Sequence, residues 1–444
     1  MAYAPTKLGD FIDVKHGFAF KGEHFVDAPT TDVVVTPGNF AIGGGFQVDK
    51  AKYYNGPVPE EYILQPGDLI VTMTDLSKAG DTLGYPAIVP ESSSVRYLHN
   101  QRIGLVRIKD RAEADSRFLF YRLCAGDYRH HILATASGST VRHTSPGRIC
   151  EFETELPPLA EQRAIAGVLG ALDDKIEQNR RTARALERLA RAIFRAWFVD
   201  FEPVKAKAAG ATAFPSMPKP IFDALPTTLT DSELGPIPEG WEVKPIGDAV
   251  SVKGGATPST KKPEYWDEGV HCWATPKDMS RLAHPVLLDT ERHITDEGVA
   301  CISSGLLPSG TVLLSSRAPV GYLALTAVPT AINQGFIAMV CDGPLPSSYV
   351  LNWTHHVMDA IKARASGTTF PEISKRNFRP MPVVVPTPEA VHAFAEIVDR
   401  LFDLITACIN ENNRLADMRD YLLPKLLSGA VRVRDAERLA EEVA

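Results

Sequence analysis

The chain has 444 residues, 44% of them hydrophobic and 23% charged, which is too long for one ordinary core and too polar for a membrane class. A net charge of −7 excludes a uniformly basic nucleic-acid binder, so any DNA-facing charge must be local. The six cysteines (Cys124, Cys150, Cys272, Cys301, Cys341, Cys408) form no CxxC pair, which argues against a disulfide framework or a zinc site.

The N-terminus, MAYAPTKLGDF, lacks a basic start followed by an apolar core, so no signal peptide is expected. No apolar run approaches the roughly 20 residues that span a bilayer. Both points place the chain in the cytoplasm, away from membranes. LGDFIDVKHGFAF (8–20), GDLIVTM (67–73) and IGLVRI (103–108) read as short β-branched strands bounded by turn residues, with AIGGGF (41–46) as a loop. A short helix is expected over SRFLFYRLCAG (116–126), then a small hydroxyl-rich loop, ASGST (136–140). After Pro157 and Pro158, apolar residues recur at alternating steps of four and three: Ile165, Leu169, Leu172, Ile176, Asn179, Ala183, Leu186, Ala190, Ile193, Trp197. That is a heptad seam. Residues 198–241 are rich in Pro, Ala and Thr and read as an extended, surface-running linker.

The pattern then starts again. IGDAVSVKGGATP (246–258) resembles 8–20, SGTVLLSSRAPVGYLALTAV (309–328) resembles 66–89, and ASGTTFPEISKRNF (365–378) opens like 136–158. FIAMV (336–340) reads as a strand, and YVLNWTHHVMDAIKARA (349–365) as helix. A second seam follows Pro386 and Pro388: Val398, Phe402, Ile405, Ile409, Asn412, Ala416, Arg419, Leu423, Leu426. Its one defect is Arg419, flanked by Met418 and Leu422 as substitutes. The tail, VRVRDAERLAEEVA (431–444), reads as a further helical turn or a frayed end.

Two copies of one unit of about 190–200 residues are therefore expected. The fold class is α+β: two pseudo-symmetric, strand-rich globular parts separated by two long antiparallel coiled-coil helices. One polar residue in an apolar seam lowers stability but fixes register. Asn179 and Asn412 hold that place in both seams, either paired near the middle or facing solvent at a seam edge.

Candidate DNA-contacting residues are those that recur at equivalent places in both copies. In the first copy these are Lys15, Lys21, Gln101, Arg102, Ser139, Thr140 and Arg142. In the second they are Lys253, Thr257, Lys261, Lys262, Arg317, Thr368, Thr369, Lys375 and Arg376. Lysines, hydroxyls and loop amides suit phosphates, whereas Asn, Gln and Arg make bidentate contacts to base edges. The plainer reading is that Gly-Ser/Thr loops are turns and lysine pairs a solvated face. No nucleotide-binding GxxxxGK[ST] loop, nucleophile elbow or convergent metal ligands are visible, so catalysis by this chain is not expected.

LPPLAEQRAIAGVLGALDDKIEQNRR (156–181), GPIPEGWEV (235–243), ASGTTFPEISKRNF (365–378) and NNRLADMRDYLLPKLLSGAVRV (412–433) together resemble the specificity subunit of type I restriction-modification systems. The resemblance implies target recognition domains at 1–158 and 241–388, a central spacer helix at 159–200, a linker at 201–240, a distal spacer helix at 389–430 and a tail at 431–444. It also implies double-stranded DNA, two modification (methyltransferase) subunits and restriction subunits as partners. No cofactor is expected in this chain; S-adenosylmethionine, ATP and Mg would serve the partner subunits. The rival expectation is a protein–protein scaffold with two binding heads on a coiled-coil rod.

Overall fold

A computed structural model describes residues 5–77, 79–317, 319–367 and 371–441. It divides into two compact units, one formed by Met1–Glu177 with Glu411–Ala444, the other by Gln178–Asn410. Both division points fall inside long helices, Leu159–Phe198 and Pro388–Leu427.

In the first unit a four-stranded antiparallel sheet has the order 12–16, 103–108, 69–72, 86–88. Its apolar face, with Ile12, Leu69, Val71 and Val106, packs with Leu119, Leu123, Tyr128, Ile132 and Ile149 from three short helices. A five-stranded sheet beside it contains one parallel pair, 32–35 with 96–99. The second unit repeats this plan. Strands 251–253, 336–340, 312–315 and 323–326 lie in the same order, extended by 286–287, and 271–274 pairs in parallel with 330–332. The repeat extends to register: Lys15 lies opposite Leu105 and Lys253 opposite Ala338, in antiparallel pairs at matching places.

Gly17 and Gly255 occupy one more matching place. A β-carbon on Gly17 would collide with the Asn100 carbonyl, and one on Gly255 with the Ile332 carbonyl. Only glycine permits the chain to pass so close to the neighbouring strand.

The two long helices obey the seam for most of their length. In the first unit Ile165, Leu169, Leu172 and Ile176 are buried with Leu415, Leu422 and Leu426. In the second, Ala183, Ala190, Ile193 and Trp197 are buried with Val398, Phe402 and Ile405, while Leu186 and Ile409 pack at the margin. The first half of one helix thus meets the last half of the other, and the reverse, so they run antiparallel. Removing one such buried leucine or isoleucine side chain costs about 2–5 kcal/mol.

Two expectations need correction. Beyond Asn412 the expected Leu426 is buried and Leu422 takes over packing as expected beside Arg419, but Leu415 is buried where Ala416 was expected, leaving Ala416 and Leu423 at the margin. The 201–240 segment is not an extended surface linker. It holds helices at Glu202–Ala208 and Lys219–Ala224 and a two-stranded pairing of Leu229–Thr230 with Ile237–Pro238. Val204, Met217, Phe222 and Leu225 are buried in the second unit's main core, and that burial holds the segment down. The tail forms a helix, Val433–Glu441, whose Ala436 is buried against the first unit's helical core.

Candidate functional site

The candidate residues occupy the same three positions in each unit. The first position is the strand after the initial helix. In the second unit Lys253 is exposed on the outer strand of the five-stranded sheet. The Lys375 ammonium lies over the adjoining Gly254, and Arg379 donates from Nη2 to the Val252 carbonyl at 2.9 Å. Three cations therefore line one sheet edge. Arg376 is exposed on the same short helix, Lys375–Phe378, which the Ser374 hydroxyl caps. In the first unit the equivalent Lys15 is differently placed. It is half-buried, donates to the Glu61 carbonyl at 2.9 Å and carboxylate at 3.2 Å, and lies 4.2 Å from the centre of the Tyr62 ring. Lys21 is exposed near Glu23.

The second position is a polar turn. Asn100 Oδ1 accepts from the Arg102 amide at 3.0 Å, and Asn333 Oδ1 accepts from the Gly335 amide at 2.8 Å. Each asparagine fixes a turn that leaves the next residue, Gln101 or Gln334, exposed, with Arg102 exposed beside it in the first unit. In the second unit Thr257 donates to Gln334 Oε1 at 2.6 Å, joining the glycine-rich loop to that turn. The loop is also tied from below. Trp273 Nε1 donates to the Ala256 carbonyl at 3.2 Å and Trp266 Nε1 to the Ser259 carbonyl at 3.1 Å, while the Arg292 guanidinium stacks 3.5 Å from the Trp266 ring centre. Lys261 and Lys262 are exposed just beyond.

The third position is the ASG loop. Ser137 and His143 exchange two backbone hydrogen bonds, as do Ser366 and Glu372, so each loop is pinched at its base. Ser139 and Thr140 are exposed at the first loop's tip; Thr368 and Thr369 lie outside the described residues. At the bases, Arg142 lies opposite Asp75 in a short antiparallel strand pair, and the Arg317 backbone pairs with that of Glu372 in an isolated antiparallel β-bridge.

The structure thus brings together Lys253 with Lys375, and Thr257 with Gln334. Sequence reasoning missed the two tryptophans and Arg292 that shape the loop, because isolated aromatics carry no periodic signal. It also missed a Cys272–Asp289–His293 cluster, whose sequence spacing matches no familiar ligand pattern. Of the seam asparagines, Asn179 is only 5% exposed, and the Asn412 carboxamide oxygen is buried without a hydrogen-bond partner among the described residues. No described helix is long and apolar enough to cross a membrane.

The sequence profile of the Type I restriction modification DNA specificity domain matches residues 3–188 and 238–416, both copies of the repeat. The MjaIX specificity subunit of Methanocaldococcus jannaschii is 36% identical over 181 residues, 40% of this chain and 42% of that protein. The HindI specificity subunit of Haemophilus influenzae is 25% identical over 359 residues, 71% of this chain and 77% of that protein. The chain therefore spans under half of the first relative and about three quarters of the second. The crystal structure of a type I S subunit from M. genitalium superposes with a TM-score of 0.55 over 96% of both chains at 15% identity, a likeness of fold.

Proposed function

The chain belongs to the type I restriction modification DNA specificity family, and on that premise we propose that it selects the DNA sequence on which a type I restriction-modification complex acts. It does so without catalysis of its own. The observation that carries this reading is the duplication. Two units share strand order, register and three site positions, one strand and two loops, yet offer different side chains there. Two heads of one design with unlike surfaces suit a bipartite DNA site with unlike halves. Residues 1–158 and 241–388 serve as the two target recognition domains, and the long helices set the gap between half-sites.

In this reading Lys253, Lys375, Arg376, Lys261 and Lys262 take phosphates in one head, with Lys21 and Arg142 in the other. Gln101 with Arg102, and Gln334 beside Thr257, face base edges. Asn179 and Asn412 fix helix register. Two modification subunits and the restriction subunits dock on this chain in the cytoplasm. S-adenosylmethionine serves the former, and ATP with magnesium the latter.

The test is a methylome. This chain is co-expressed with the modification subunit encoded beside it, in a host without adenine methylation, and modified adenines are mapped by single-molecule sequencing. A split motif with unlike halves that disappears without this chain supports the proposal. No motif, with both proteins soluble and co-purifying, moves the reading to a protein–protein scaffold.

A further inference from the structure

Cys272 and His293 face each other across an antiparallel strand pair at the edge of the second unit's three-stranded sheet, and Asp289 lies on the loop leading into the outer strand. Cys272 Sγ is 3.4 Å from Asp289 Oδ1 and 3.8 Å from His293 Nε2, and that nitrogen is 2.8 Å from the same Asp289 oxygen. All three ligand atoms lie within 4.8 Å of one another. A tetrahedral zinc ion, with bonds of about 2.3 Å to sulfur and about 2.0–2.2 Å to nitrogen and oxygen, holds such atoms about 3.3–3.6 Å apart. The triad needs to shift by only about half an ångström to meet that geometry.

We propose that Cys272, Asp289 and His293 form a binding site for a zinc-class divalent cation. A thiolate, an imidazole and a carboxylate are a borderline-soft set that favours zinc over magnesium or calcium, with water in the fourth position. Binding releases the Cys272 proton to solvent as the sulfur–metal bond forms. Burial raises the Cys272 thiol pKa, so the metal-free trio rests as a protonated thiol beside the carboxylate. Burial opposes ionisation of Asp289 too, but hydrogen bonds from Thr290, Cys272 and His293 outweigh it and keep the carboxylate charged, as a ligand must be. At the matching place in the first unit Val33, opposite Tyr97, stands where Cys272 stands opposite Thr330, so that position offers no thiol. Among the described residues the site belongs to the second copy alone.

Its position says what the ion does. Trp273 follows Cys272 and Arg292 precedes His293, and these two, with Trp266, form the stack that ties down the 253–260 loop. A metal joining Cys272 to the 289–293 segment stiffens the floor of a loop assigned above to DNA. That consequence rests on the DNA-reading proposal. The binding site does not, and its test contains no DNA.

The experiment titrates the full-length chain, reduced and stripped with chelator, with cobalt(II). The expected result is one ion per chain with sulfur-to-cobalt charge transfer in the near ultraviolet and the visible bands of four-coordinate cobalt, both bleached by zinc(II). Cys272→Ser abolishes the charge transfer, and His293→Ala weakens zinc at least about tenfold. Neither changes the unfolding midpoint of the metal-free chain by more than a degree or two. Absence of charge transfer in the unmodified chain overturns the proposal. So does a band that survives Cys272→Ser, which would place cobalt on another cysteine. Zinc slowing amide exchange across 253–260 supports the loop consequence; unchanged exchange with metal bound refutes it.

Discussion

Arg419 donates from Nη1 to Asp173 Oδ1 at 2.8 Å, joining the two long helices within the first unit. The other Asp173 oxygen accepts the Tyr121 hydroxyl at 2.6 Å, and Arg419 also holds Asp420 at 2.8 Å. The residue that interrupts the apolar stripe is therefore a charged clasp. Burial opposes its charge, but the two aspartates more than offset that and raise the guanidinium above its ordinary value.

Arg419→Met should therefore destabilise the first unit, by about 1–2 kcal/mol, since both partners remain partly exposed. In a double-mutant cycle with Asp173→Asn, the coupling should be about 1 kcal/mol. Urea unfolding followed by helical circular dichroism measures it. A coupling near zero would mean that Arg419 is merely tolerated at the seam.

The Gly17 and Gly255 passages make a second prediction. Gly17→Ala forces a methyl group onto the Asn100 carbonyl, in the turn just after strand 96–99, and Gly255→Ala onto the Ile332 carbonyl, in strand 330–332. Each should cost at least about 2 kcal/mol. Gly22→Ala, where a β-carbon meets open space, should stay within about 0.5 kcal/mol of the parent. Equal effects at all three positions would dismiss the close-approach argument.

How much of this was legible depends on periodicity. The repeat and both helices could be read because apolar steps of four and three, or alternate β-branched residues, persist over many residues. Leu422 could be read as a substitute beside Arg419, but Leu415 could not, because Leu415 with Leu422 and Ala416 with Leu423 supply equally regular stripes. Packing chose the pair with more buried leucine surface. The 201–240 segment misled because Phe222 and Leu225 stand among prolines and small residues, and two large side chains in a core leave no periodic mark. In the candidate site, residue types were legible but availability was not. Lys15 and Lys253 share a register position, and only the fold shows Glu61 and Tyr62 occupying one of them.

His99 makes stability depend on pH. It is fully buried, its Nε2 bonds the Ile103 carbonyl at 2.9 Å, and its Nδ1 has no partner among the described residues. Burial lowers its pKa to about 4, helped by the nearby charges of Lys15, His16 and Arg107. The unfolded value is about 6.5, so the fold prefers the neutral ring. This contribution is complete above pH ~6.5 and is lost as pH falls toward about 4. Between pH 7 and pH 5 the first unit should lose about 2 kcal/mol on this account. His99→Gln keeps an amide donor but cannot titrate, so its urea midpoint should move less between those pH values. All five tryptophans lie at 197 and beyond, in the second unit, so circular dichroism or amide exchange across 103–108 is the proper probe. An unchanged pH response in His99→Gln would count against the buried neutral ring.

The two equivalent lysines make the sharpest prediction about DNA. Lys253 is exposed beside Lys375 and Arg379, whereas Lys15 is already bonded to Glu61 and stacked on Tyr62. A phosphate can take Lys253 at the cost of some water, but taking Lys15 breaks an existing ion pair. Lys253→Ala should weaken DNA binding by the assembled complex, by a similar factor for cognate and unrelated sequences. The slope of log affinity against log salt should fall by about 0.9, one released counterion. Lys375→Ala should do the same, and Lys15→Ala should leave the slope nearly unchanged. Fluorescence anisotropy with a labelled duplex, between about 50 and 200 mM salt, resolves the difference. If Lys15→Ala lowers the slope as much as Lys253→Ala, the Glu61 pairing gives way on binding and the two heads grip the backbone alike. If neither changes it, the phosphate contacts lie elsewhere on the two units, and the basic sheet edge is a solvated face.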